Sequence, residues 1–138
     1  QGRLATVAPE LREKAALAAA VRRAAEAGLA RDPSLYLNDY LLARWHNDVA
    51  GLPRLHRLMA RCAFGVRLSG SHREALRHAK RAVETGPDKL LCHYELSRTY
   101  VAVGERALGR RHAEAALQSP VEELNSHLFL QAARDLLQ

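Results

Sequence analysis

The sequence contains no isoleucine and only eight valines, and aromatic residues make up 5% of its 138 positions. β-Strands draw on β-branched and aromatic side chains, so a sandwich, a barrel or a nucleotide-binding sheet lacks its usual material. Cysteine is also scarce. Cys62 and Cys92 stand apart, form no C-x-x-C, and are too few for a disulfide scaffold; both read as reduced packing residues. No stretch approaches the ~20 apolar residues of a membrane span, and no leader pattern opens the chain. The first residue is Gln1 rather than methionine, which reads as an excerpt of a longer protein.

What is present points one way. There are 25 alanines, 23 leucines and 18 arginines, all strong helix formers. The length suits one domain, and 48% hydrophobic against 26% charged residues suits a packed core rather than disorder. The expected class is all-α.

The net charge is +6, and it is unevenly placed. Residues 1–69 carry 11 bases and 6 acids, whereas residues 70–138 carry 10 and 9. A local basic surface suits an acidic partner, and the alternative is a merely solvated arginine-rich face.

An internal repeat organises the chain. Shifted by 54 residues, Ala25 falls on Ala79, Pro33 on Pro87, Tyr40 on Tyr94, Leu42 on Leu96 and Arg44 on Arg98. Shifted by 34, Ala75, Ala79, Ala82 and Val83 fall on Gly109, Ala113, Ala116 and Leu117. A 34-residue helix–turn–helix unit with small residues at fixed places is the tetratricopeptide signature, because two helices approach closely only where side chains are short. The larger shift implies a 20-residue insertion in the middle unit. The expected architecture is a tetratricopeptide-like α-solenoid of antiparallel helix pairs. It has a partial first repeat at 9–33, a second repeat at 35–87 with an inserted helix at 53–66, a third at 88–120, and a capping helix at 121–138. Ser71 and Glu74 have the spacing of a capping box and predict a helix opening at His72.

The stretch Tyr40–Gly65 resembles the regulator of microtubule dynamics family of tetratricopeptide-like proteins. The resemblance is carried by Arg44-Trp45, by Val49-Ala50-Gly51-Leu52, and by the basic Ala-rich run from Ala60 to Phe64-Gly65. It continues through Ala75, Pro87, Leu96 and Tyr100 to Leu136, with Ala43 where the family usually has glycine and His46 where it often has cysteine. The resemblance implies an intracellular, cytoskeleton-associated scaffold with tubulin or a microtubule-associated assembly as partner. In tetratricopeptide folds the first helices line a concave groove, and Tyr40, Arg44, Tyr94 and Arg98 align with groove-facing places.

Catalytic signals are absent from the sequence. There is no G-x-S-x-G, P-loop, H-E-x-x-H or C-x-x-C, and none of the seven histidines pairs with another at i,i+4. The expectation is a non-enzymatic protein with no cofactor, no metal and no small-molecule substrate. Trp45 is expected to pack the inserted helix against the repeat.

Two binding surfaces remain. Arg54, Arg57 and Arg61 form one stripe on the inserted helix, set against Leu52, Leu55, Met59, Cys62 and Val66, and Val49–Arg73 holds five arginines and no acid. Such a stripe repels itself unless an anionic partner relieves it. The duplicated Tyr40/Arg44 and Tyr94/Arg98 pairs place hot-spot residue types on one helix face each, with their arginines expected on the order of 20 Å apart. The competing account packs the tyrosines between helices and pairs the arginines with a nearby acid such as Asp48. The favoured function is an adaptor for an acidic protein or peptide. The alternative is a subunit embedded permanently in a large assembly, and nucleic-acid binding, which lacks interleaved aromatics, is a distant third.

Overall fold

The computed structural model describes residues 2–119 together with 134, 135 and 137. Among them lie six helices: α1 (Gly2–Arg31), α2 (Tyr36–Ala50), α3 (Arg54–Phe64), α4 (His72–Thr85), α5 (Leu90–Ala102) and α6 (Arg106–Gln118). No described residue is in a strand, so the chain is all-α, consistent with a helical solenoid. The capping helix expected at 121–138 lies almost wholly outside the described residues.

Helix ends follow local chemistry. The Ser71 hydroxyl accepts the Glu74 backbone N–H at 3.1 Å and opens α4. Gly104, at φ +87°, closes α5, where the Glu105 N–H reaches the Tyr100 carbonyl at 2.8 Å; this left-handed closure favours glycine because it has no Cβ. α1 starts ahead of the expected residue 9 and carries Pro9 inside it. No turn-forming residue lies between Arg3 and Ala8 to stop a helix there.

Packing is dominated by two helix pairs, α2 with α4 and α5 with α6, joined through α4 and α5. α1 lies on α2, and α3 packs against α1 alone among the other helices. The pairs meet on short side chains: Ala75, Ala79, Ala113 and Ala116 have no exposed surface. A Cβ on Gly109 would stand 2.8 Å from Val101 Cγ2 and 3.2 Å from the Ser97 carbonyl oxygen, so the α5–α6 approach depends on its absence. Leu96 and Tyr100 of α5 pack with Ala43 and Ala79 in the central core.

Buried polar groups add specificity to this seam. The Asn47 amide donates to Glu95 Oε1 at 2.9 Å and to Thr99 Oγ1 at 2.7 Å, and its oxygen meets His72 Nδ1 at 2.9 Å. Burial pushes the Glu95 carboxyl above its ordinary range, opposed by Arg98 and by the Asn47 hydrogen bond. Left unpaired, such groups would each cost about 1–3 kcal/mol, so the network admits one register of α2 on α5.

Candidate binding surface

The duplicated pairs come together around one acid. The Arg44 Nε stands 3.8 Å from Asp48 Oδ2, and the Arg98 Nη2 hydrogen-bonds Asp48 Oδ1. Arg98 also lies 3.7 Å from Glu95 Oε1. The two guanidiniums therefore meet at a single carboxylate, and the expected separation on the order of 20 Å does not exist. Their long stems lean toward each other across α2 and α5, which a spacing of helix axes does not anticipate. Tyr40 is buried with Ala82 and Cys92, whereas Tyr94 is half-buried beside Leu90 and Ala116. Burial raises the Tyr94 hydroxyl above its usual range. Arg44 and Arg98, with the half-buried Tyr94, thus form a partly neutralised surface rather than a row of free cations, and Tyr40 is a packing residue.

The inserted helix differs. Arg54 and Arg61 are exposed and Arg57 is half-buried. Among the described residues none of the three has an ion pair; the recorded pairs involve Arg22, Arg44, Arg77, His78, Arg81, Arg98 and Arg110. The apolar side set against them is divided: Leu52 and Val66 are half-buried, and Leu52 and Met59 line a cavity shared with α1 and α2. Leu55 is 63% exposed, and Leu58, Met59 and Cys62 are exposed beside it. α3 seats instead on a third side: Ala60 is its buried residue, and Phe64 lies under the Arg12 guanidinium at 5.5 Å. Small Ala60 allows the close approach to α1 that a leucine would block.

Between α1, α2 and α3 lies a cavity of about 600 Å³. Its walls are Leu11, Ala15, Ala18 and Val21 of α1, Trp45 and Val49 of α2, and Met59, Ala60 and Phe64 of α3, with Lys14, Arg44 and Asp48 among the polar residues lining it. Trp45 ties α2 to α1: its Nε1 donates to the Ala18 carbonyl at 2.8 Å, and the Arg22 guanidinium covers its ring at 4.7 Å. Trp45 shares the cavity with α3, so it bridges the repeat to the inserted helix through α1.

The seam between α2 and α4 gathers a group that sequence spacing alone did not single out. His46 stacks on His78 at 6.0 Å between ring centroids, and Glu74 brings a carboxylate to the same place. His78 Nδ1 meets Asp39 Oδ1 at 2.8 Å, and Asp39 is fully buried. Burial, with Arg22 and His78 nearby, pulls His46 down to about 4. The signal available in the sequence was Glu74-x-x-x-His78, one turn apart on a single helix; a search for histidine pairs passes over it. The arrival of His46 from α2 has no local signature. A second pair, His93 and His112, stacks at 5.6 Å beside Tyr100 without an acid in the cluster.

The described fold is thus an all-α stack of helix pairs with an added helix, presenting a basic stripe that has no ion pair among the described residues and a partly neutralised Arg44/Arg98 surface. The family model described as regulator of microtubule dynamics protein 1-3 matches residues 3–138, and the chain belongs to that family. No curated protein sequence matches the chain at a significant level. Among the described residues, no helix is long and apolar enough to cross a membrane.

Proposed function

We propose that the chain is a non-enzymatic helical adaptor in the control of microtubule dynamics, and that its Arg54–Arg57–Arg61 face binds an acidic protein surface. The family's description connects it with microtubules, and the acidic tails of tubulin are the partner whose charge complements the stripe. The observation that carries the reading is the contrast between the two arginine sets. Arg44 and Arg98 share Asp48, whereas the three arginines of α3 have no acidic partner among the described residues. A partner carboxylate meeting such a guanidinium gains charge-assisted hydrogen bonds in exchange for those to water, without first having to displace an intramolecular ion pair.

The test is co-sedimentation with microtubules at low salt, where such contacts are strongest, before and after removal of the tubulin tails. Arg54→Glu, Arg57→Glu and Arg61→Glu together are expected to abolish tail-dependent pelleting. Charge reversals at the exposed Arg54 and Arg61 cost under about 0.5 kcal/mol of stability each; Arg57 is half-buried, so a melt of the triple variant checks that it stays folded. Undiminished pelleting by the triple variant overturns the assignment of the stripe.

A second reading, a subunit held permanently in a larger assembly, is favoured by the outward Leu55, Leu58 and Cys62. An exposed apolar strip on an added helix is what a lasting interface covers. Native-extract sizing separates the two: one fixed large complex supports the subunit, and a broad or monomeric distribution supports the adaptor.

A further inference from the structure

We propose that His46, Glu74 and His78 form a binding site for a zinc-class divalent cation that clasps α2 to α4. One ligand atom of each lies within 4.8 Å of the others. Zinc bonds to imidazole nitrogen and carboxylate oxygen run ~2.0–2.2 Å, which places ligands on a tetrahedron with edges of ~3.3 Å. Small side-chain rotations cover the difference. Two imidazoles and one carboxylate are a recognised donor set for zinc and leave a fourth position open.

The surroundings point to a cation. Asp39 accepts the Nδ1–H of His78, which fixes the ring's other nitrogen as a lone pair directed away from the buried carboxylate. A carboxylate behind a histidine in this way orients and strengthens metal ligands. Asp39 Oδ2 has no hydrogen-bond partner, and the nearest recorded cation is Arg81 Nε at 3.8 Å. A buried carboxylate so placed gains from more positive charge on the far side of His78. A guanidinium already occupies that position: Arg77 Nη2 lies 2.7 Å from Glu74 Oε2 and 3.3 Å from His78 Nε2. Arg77 is 55% exposed, so it can swing into water when a metal takes its place. The site has an entry, since Glu74 is half-exposed at its mouth.

This proposal is independent of the arginine stripe and concerns α2 and α4 alone. The experiment is titration of the chain carrying Cys62→Ser, which removes the exposed thiol as a competing ligand, with cobalt(II) and then zinc. The expected result is a visible d–d absorption of four- or five-coordinate cobalt at one equivalent, displaced by zinc, with a rise in melting temperature. Glu74→Gln keeps the helix cap, whose acceptor is Ser71, and is expected to weaken binding about tenfold or more. Arg77→Ala removes the competing cation and is expected to tighten binding severalfold, and His112→Gln is expected to leave it unchanged. Absence of the cobalt band, or a Glu74→Gln chain that binds as tightly as its parent, overturns the site; so does an Arg77→Ala chain whose affinity does not rise.

Discussion

The two ends of the molecule are built by different rules. From α2 and α4 through α5 to α6, helices meet on alanine and glycine, and Asn47 ties α2 to Glu95 and Thr99 of α5. Among the described helices α3 touches only α1, buries Ala60, and turns Leu55, Leu58 and Cys62 to water. In the pairs every side chain near the axis is held by volume, so a methyl group matters. On α3 little is held, and the side chains are left for something else to contact.

Overfilling the seam gives the largest contrast. Ala79→Leu and Ala113→Leu are each expected to destabilise by about 1–3 kcal/mol, because neither fully buried site has room for three more carbons. Thermal or urea melts measure this, and an unmoved midpoint would mean the pairs are looser than their alanines imply.

Acid should loosen the same seam and spare α3. An unfolded histidine takes its proton near the ordinary 6.5, whereas His46 in the fold resists protonation until about 4. Stability is therefore complete above pH 6.5 and is lost as pH falls toward 4, by about 2 kcal/mol over the window. Arg22 and His78 help hold His46 neutral, while Glu74 and Glu26 oppose them. His112, lowered by burial and by His93 and Arg111, acts in the same direction. In metal-free buffer, His46→Gln is expected to flatten the slope without removing it. An unchanged slope would place the acid sensitivity elsewhere.

The smallest effect belongs to α3. Leu55→Ser and Leu58→Ser are each expected to change stability by under about 0.5 kcal/mol, since both side chains are mostly in water already. A loss of several times that in the isolated chain would show that this face is covered.

Much of the pair architecture was legible because its causes are local. α2 and α5 begin 54 residues apart at Tyr36 and Leu90, and α4 and α6 begin 34 apart at His72 and Arg106. Small residues at fixed spacing and the Ser71 cap carry that information within a few positions of where it acts. The sites were less legible because their partners are distant in sequence. Arg98 finds Asp48 fifty residues away, and His46 meets His78 from another helix. The seating of α3 has a related cause. Its leucines make the stronger apolar side, but Ala60 and Phe64 are what α1 can accommodate, and the contact decides which side turns in.

The two cysteines now acquire a practical meaning. Cys92 has no exposed surface, and burial pushes its thiol up to about 12, so little of it is thiolate at neutral pH. Cys62 stands on the outer side of α3. A maleimide dye or nitroxide spin label should therefore mark the unaltered chain at a single position. That position lies on the helix bearing Arg54, Arg57 and Arg61, where quenching or slowed tumbling of the label would reveal a partner's arrival.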